Sequence, residues 1–563
     1  MSRFNTRAAK PSTTSPVQST GEGTTNAQGG AGYLRDARSE LFLLAVGNFV
    51  GTDTFYETGG DRDDRFTQLI RQLAVDDPEW VAQMLGWLRR DGNMRTAAIV
   101  GAAEYVKARL DAAQTRERRI HEQGADRAAT VWSGDSLAYS AASNRRVIAS
   151  VLKRADEPGE LLAYWTSRYG RRIPKPVKRG IEDAVGDLYT ERSLLKYDTA
   201  TKGFRFGDVI ELVHPAPSAL WQGDLFKHAI DRRHNRDNPI PDSLRLLDTR
   251  AQIAQWPVDK RRSLLRQPDA AEFLQHAGMT WEALAGWLQG PMDAEAWEAI
   301  IPSMGIFALV RNLRNFDQAG VSDEVAAQVA AKISDPEVVA RSRMLPFRFW
   351  GAYKHTESLR WGHALEKALN LSLANVPSLT GRSLILVDRS PSMFPGYGFS
   401  TPNQSDITLA EQAAVFGAAL AVRAADPTLV QFGIRNQNLP VPRGGSVLRL
   451  IESFGQFDGT DIPSAVKWHY KAHDRVVVVT DEQSQPGWFP SNARFHGGMP
   501  ETEIDDLVPK NVPVYMWNMA GYKAGATPSG GSNRHAFGGL TDAAFRMIAL
   551  LEAGRDARWP WES

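Results

Sequence analysis

The chain has 563 residues, 42% of them hydrophobic and 23% charged, the balance of an ordinary globular protein with length for more than one domain. It contains no cysteine, which excludes disulfides, thiolate metal sites and a cysteine nucleophile and fits a reducing compartment. The formal net charge of +1 is unevenly spread: ten Lys/Arg face three Asp/Glu between Arg145 and Arg179, whereas from Gly381 onward 16 basic residues meet 18 acidic ones.

Residues 1–32 are rich in Ser, Thr, Gly, Gln and Pro and hold no continuous apolar stretch, so they read as a disordered tail, neither signal peptide nor anchor. No later window approaches the roughly 18 uninterrupted apolar residues a membrane span needs, and a cytoplasmic location is expected. From Tyr33 to about Ala374 the apolar residues recur at helical spacing. The pattern predicts helices around 40–46, 80–88, 99–110, 147–152, 181–189, 281–288, 297–301 and 325–333, punctuated by Asp91-Gly92-Asn93, Pro174, Pro215-Ala216-Pro217 and Pro239. Many short helices with brief connections point to stacked pairs, an α-solenoid of divergent HEAT-like repeats.

After Leu379-Thr380-Gly381 the pattern changes. Apolar strands at 383–388, 428–434, 475–480 and 513–519 alternate with helical runs near 407–424, 445–454, 462–472 and 541–554, the signature of a mostly parallel sheet covered by helices. Ligands of such sheets sit beyond the carboxyl ends of the strands. Two strands end there in carboxylates: Ser383–Val387 runs into Asp388-Arg389-Ser390-Pro391-Ser392, and Arg475–Thr480 into Asp481. A third loop, Phe457-Asp458-Gly459-Thr460-Asp461, precedes a helical run. Few carboxylates beside neutral hydroxyl oxygens suit a hard divalent cation, Mg2+ first. Each piece alone is also an ordinary strand-ending turn. Together Asp388, Ser390, Ser392, Thr460 and Asp481 resemble the metal-ion-dependent adhesion site of von Willebrand factor A domains.

An A-like domain behind a helical region resembles the TROVE family, and most closely the bacterial relatives of the Ro autoantigen. The blocks that carry the likeness are Asn48-Phe49-Val50-Gly51-Thr52-Asp53-Thr54-Phe55-Tyr56, Leu309-Val310-Arg311-Asn312-Leu313 and Leu345-Pro346-Phe347-Arg348-Phe349-Trp350-Gly351-Ala352-Tyr353-Lys354. In the last of these Leu345 stands where the family often has histidine. The resemblance implies a tail over 1–32, a ring-like helical-repeat RNA-binding domain over 33–375 and a von Willebrand factor A-like domain over 376–563. It further implies a monomeric, non-catalytic scaffold in RNA quality control. Misfolded small RNAs would enter a central hole by their single-stranded 3′ ends, structured Y RNA-like molecules would bind a basic outer surface, and an exoribonuclease could be engaged through the RNA.

For the outer surface, Leu195-Lys196-Tyr197 and Leu212-Val213-His214-Pro215 match family segments, which nominates Lys196 and His214. A family arginine between them is replaced by Thr201 or Lys202, with Arg205 shortly after. Lysine can neutralise phosphate, and histidine can hydrogen-bond to or stack on a base; His214 could equally be a partly buried histidine before a turn. Arg168, Arg171, Arg172, Lys175, Lys178 and Arg179 crowd a segment stiffened by Pro174 and Pro176, and their spacing suits a phosphate track. The runs Arg232-Arg233-His234 with Arg236, and Lys260-Arg261-Arg262, read as solvated surface.

Of the 16 tryptophans, Trp80, Trp87, Trp281 and Trp297 fall at core spacing. His469 and His473 stand four apart in a predicted helix without a third metal ligand. No phosphate-binding glycine loop or nucleophile elbow occurs. Two other readings compete: a metal-dependent protein-interaction module whose helices hold peptides, and a hydrolase using Asp461 or Glu482 as base.

Overall fold

The computed structural model describes residues 12–47, 53–122, 142–356, 358–373, 376, 378–394, 407–441, 446–485, 503–531, 533–539 and 543–562. The chain divides into two compact units, one of residues 70–338 with 355–364, the other of residues 1–69 with 339–354 and 365–563. Among the described residues no helix is long and apolar enough to cross a membrane.

The first unit is helical wherever the apolar spacing predicted it. Helix Pro78–Arg90 opens on Asp77, whose carboxylate accepts from the Trp80 amide, and buries Trp80, Met84, Leu85, Trp87 and Leu88. Helix Trp281–Leu288 starts at Thr280, whose hydroxyl accepts from the Ala283 amide at 3.3 Å. Such caps satisfy backbone donors that the first turn leaves orphaned. Helix Ile306–Ala319 turns Ile306, Leu309, Val310, Leu313 and Phe316 inward and ends at Gly320, which adopts φ 72°. Its core is closed by Trp361, which is fully buried, donates its indole N–H to Asp317 at 2.9 Å and meets the Phe316 ring at 6.5 Å. Trp80, Trp87 and Trp297 are core residues as predicted, and Trp281 is partly exposed.

The second unit holds strands β1 (Ser19–Thr25), β2 (Ala31–Arg35), β3 (Leu379–Asp388), β4 (Ala424–Phe432), β5 (Asn436–Leu439), β6 (Arg475–Thr480), β7 (Val514–Asn518), β8 (Ala524–Gly525) and β9 (Arg534–Gly538). Six of them form one sheet in the order β5-β4-β3-β6-β7-β9, parallel except for the β5 edge. Strict alternation sorts its side chains. Leu384, Leu386, Val476, Val478, Val514 and Met516 pack with Ile462, Ala465 and Val466. Val387, one register position away, receives helix Leu409–Arg423 so closely that a Cβ on Gly417 would lie 2.3 Å from its methyl group.

The expected disorder of residues 1–32 is corrected for residues 12–32. Here β1, β2 and β8 form a small antiparallel sheet, and Val17 is fully buried. Polar composition concealed this because β1 is held by pairing with β2, which in turn pairs through Tyr33 and Leu34 with β8, about five hundred positions on. The division into units also differs from the linear boundary at 375/376, since the N-terminal segment belongs with the sheet.

Candidate functional site

The neighbouring parallel strands β3 and β6 bring Asp388 and Asp481 to the same sheet edge, with Val387 in register with Val479. Thr460 stands in the loop before helix Ile462–His469, and its carbonyl accepts from the Gln485 amide at 2.9 Å, which ties that loop to the one after Asp481. All five sequence-nominated residues are buried: Asp388 0%, Ser390 1%, Ser392 6%, Thr460 1% and Asp481 0% exposed. Asp388 accepts from the Ser390 amide at 2.9 Å and from the Thr480 hydroxyl at 2.6 Å. The Ser390 and Ser392 hydroxyls lie 3.1 Å apart. Asp481 accepts from the Gln483 amide at 3.1 Å through one oxygen, while its other oxygen is buried without a hydrogen-bond partner.

Burial drives the carboxyl of Asp388 upward, and burial together with the Asp388 charge drives Asp481 up to about 7. Among the described residues neither carboxylate takes part in an ion pair. The guanidinium of Arg389 turns to the carbonyls of Gly455 and Ala410. Two buried, mutually repelling carboxylates, one with an oxygen that has no hydrogen-bond partner among the described residues, and the adjacent hydroxyls of Ser390 and Ser392 form a donor set that could hold a hard divalent cation. The competing base candidates are engaged elsewhere. Asp461 caps its helix by accepting from the Ser464 amide at 2.9 Å, and buried Glu482 accepts from Arg35 and Asn518.

Sequence reasoning missed three participants. Thr480 was read only as the end of a strand. The hydroxyl of Tyr56 accepts from the Gln28 side-chain amide; burial is the main cause that pushes it up to about 12, and the charges of Asp481 and Asp388 push it the same way. Tyr56 belongs to a block that carries the family likeness, of which residues 48–52 lie outside the described residues. No spacing rule connects positions 28 and 56 with the strand-end carboxylates.

The basic candidates all fall in the helical unit. Arg168 ends helix Glu157–Tyr169, half-exposed and 3.8 Å from Glu104. The following segment is shorter as a loop than expected, because Lys175 already begins helix Lys175–Leu188, with Pro174 as its cap. Lys175 and Lys178 therefore occupy the first turn of a helix, which contains no acidic residue, and Arg179 follows in the next turn. Arg171, Arg172, Lys175 and Arg179 are exposed and Lys178 is partly so, and none of the five forms an ion pair among the described residues. Lys196 is exposed beside the Tyr197 ring at 5.1 Å. His214 is an exposed left-handed helix cap at φ 55°, not a buried histidine.

Two candidates are internally committed. Lys202 pairs with Asp156 at 3.4 Å and Glu160 at 3.2 Å, and Arg205 holds Asp198 at 2.7 Å. Lys202 meets the start of helix Glu157–Tyr169 and Arg168 its end, about 12–18 Å apart at 1.5 Å per residue. The positive charge of Lys202, Arg205 and Arg168 is met by neighbouring carboxylates. Of the two runs read as solvated surface, the first lies at the surface and the second is corrected at Arg261. Arg232, Arg233, His234 and Arg236 pair with Asp198, Asp208, Glu211 and Asp231, and Arg262 pairs with Asp293. Arg261 is buried against the carbonyls of Trp256, Trp287 and Ala254. The expected i, i+4 histidine pair does not form on a helix, which ends at His469; His473 contacts Thr428 and His469 contacts Asn436.

These features define a class: a helical-repeat chain joined to a von Willebrand factor A-like α/β unit with a carboxylate–hydroxyl cluster at the strand ends. Residues 277–361 match the family model described as TROVE domain. The chain is similar to the structure described as the crystal structure of Deinococcus radiodurans RO (RSR) protein, with TM-score 0.57, 17% identity, and coverage of 90% of this chain and 97% of that chain. No curated protein matches it in sequence. The two findings bear out the resemblance to TROVE and bacterial Ro proteins, and Leu309–Leu313 lies inside the matched segment.

Proposed function

We propose that this protein is an RNA-binding scaffold of the Ro type. It captures small structured RNA, Y RNA-like in kind, and the single-stranded 3′ ends of misfolded RNA. The observation that carries the reading is the exposed or partly exposed set Arg171, Arg172, Lys175, Lys178 and Arg179, without an ion pair among the described residues, in a chain with a TROVE match. A helix N-terminus adds its own partial positive charge and backbone donors to three of these side chains, which favours phosphate. Lys196 and His214 extend the reading to a second contact. The protein acts in the cytoplasm as a monomer without catalysis of its own, and an exoribonuclease reaches it through the bound RNA. Mg2+ is held by Asp388, Ser390, Ser392, Thr460 and Asp481, where it neutralises the carboxylate pair.

The test is binding of a small RNA with a single-stranded 3′ tail across a salt series. Neutralising four phosphates of a single strand gives a slope of about −3 for log K against log salt. Replacing Lys175, Lys178 and Arg179 together by alanine should flatten the slope by about 2 and weaken binding to all sequences alike. Affinity no better than that of a neutral control protein, with no slope, would sink the reading and favour the protein-interaction module.

A further inference from the structure

Helix Ile306–Ala319 sorts its side chains by face. Ile306, Leu309, Val310, Leu313 and Phe316 are buried, whereas Phe307, Arg311 and Arg314 are exposed. These three recur at i, i+4 and i+7, which sets them in one stripe, spaced by about 6 and 4.5 Å along the axis. No carboxylate shares the stripe. Asp317, the one acidic residue of the helix, is turned to Arg360 at 3.4 Å and to the Trp361 indole at 2.9 Å.

Phe307 is 50% exposed on a helix whose other large apolar side chains are buried. An exposed ring alone is ordinary surface. Here it stands in line with two guanidinium groups that have no ion pair or hydrogen bond among the described residues. By contrast, Arg145 in the same unit pairs with Asp183 at 2.6 Å and Arg266 with Glu295 at 3.2 Å. A ring face beside forked, unmatched cations is the combination that holds a single nucleic-acid strand. Bases of any identity stack on the ring, and guanidinium groups bond phosphate oxygens in pairs. The bases of a duplex are already stacked on one another and cannot use the ring.

We infer that Phe307, Arg311 and Arg314 form a binding stripe for unpaired RNA, in which Phe307 stacks one base and the two arginines hold the neighbouring phosphates. The inference rests on the RNA-binding reading and names residues that prefer a single strand to paired RNA. Phosphate contacts such as those of Arg171 to Arg179 position a strand without reading its bases. The stripe lies in the same unit as that set and inside the segment that matches the TROVE model.

The experiment measures binding of the full chain to an unstructured RNA oligonucleotide, to an abasic strand of the same length and to a blunt RNA duplex. Phe307→Ala should weaken the oligonucleotide about tenfold with an unchanged salt slope, and Phe307→Trp should restore the affinity. Alanine is the better helix former at this exposed position, so the variant keeps its fold, which circular dichroism verifies. Replacing Arg311 and Arg314 together by alanine should flatten the slope by about 1.4. The abasic strand and the duplex should bind Phe307→Ala as they bind the unaltered protein. Oligonucleotide binding that is indifferent to Phe307→Ala, or a loss that is equal for strand, abasic strand and duplex, overturns the inference alone. Binding of polyglutamate that falls with Phe307→Ala as strongly as RNA binding does also overturns it, since the stripe would then serve an acidic peptide. No binding of any RNA by the unaltered protein overturns the RNA reading and the inference with it.

Discussion

His535 on β9 shows how burial converts one titratable residue into a pH response. Its ring is fully buried, stacks on Tyr515 at 5.5 Å and places Nε2 3.3 Å from the Thr13 hydroxyl, while Nδ1 has no partner. Desolvation, aided by the charge of Arg534, holds its pKa down at about 4 against 6.5 for the free residue. Between those values the unfolded chain binds a proton that the folded chain refuses. The stabilisation is therefore complete above pH 6.5 and falls by about 3 kcal/mol as pH drops toward 4. Urea unfolding at pH 7.5 and 4.5 measures this, and His535→Gln should shrink the difference between the two. Nothing in the sequence marked His535. Its burial depends on β9, whose run Arg534-His535-Ala536-Phe537 carries two polar residues and was not predicted as a strand.

At the scale of elements, the legible parts were those whose own composition announces them. Val476–Val479 is a continuous apolar run because β6 is central and covered on both faces, and the Asp388 and Asp481 ends of β3 and β6 followed from the same logic. β1, with Ser19-Thr20-Gly21-Glu22-Gly23-Thr24-Thr25, has no apolar face to read and exists through its partner strand. Helix Leu409–Arg423 was predicted from its pattern, but not the closeness of its approach to β3. That closeness makes Gly417 a sensitive position. Gly417→Ala gains up to about 1 kcal/mol of helix propensity. It also forces a methyl group against Val387, whose β-branched side chain in a packed sheet cannot swing aside, and overpacking of this kind costs about 1–3 kcal/mol. The net effect should be a loss of stability, read as a lower urea midpoint with unchanged slope. A midpoint that rises would mean the helix can retreat from the sheet without penalty.

For the whole molecule, the sequence was cut at 375/376 because helical and alternating patterns change there, yet residues 1–69 belong structurally with the sheet. The bonds responsible span some 450 positions, as between Asn26 and Ser484, and no local pattern encodes such a pairing. The basic residues Arg171 to Arg179, without an ion pair among the described residues, lie in one unit and the carboxylate–hydroxyl cluster in the other. If the proposed roles follow that division, they should be separable by one substitution. Asp388→Ala removes one of the two buried carboxylates and with it the charge that opposes ionisation of Asp481. Mg2+ binding should be lost in calorimetry, while affinity for a 3′-tailed RNA and its salt slope stay within about twofold, since the phosphate contacts that set the slope are unchanged. Circular dichroism confirms that the variant is folded before the comparison is made. A folded Asp388→Ala protein that no longer binds RNA would show that the cation supports the RNA surface, and the division of labour between the units would then be wrong.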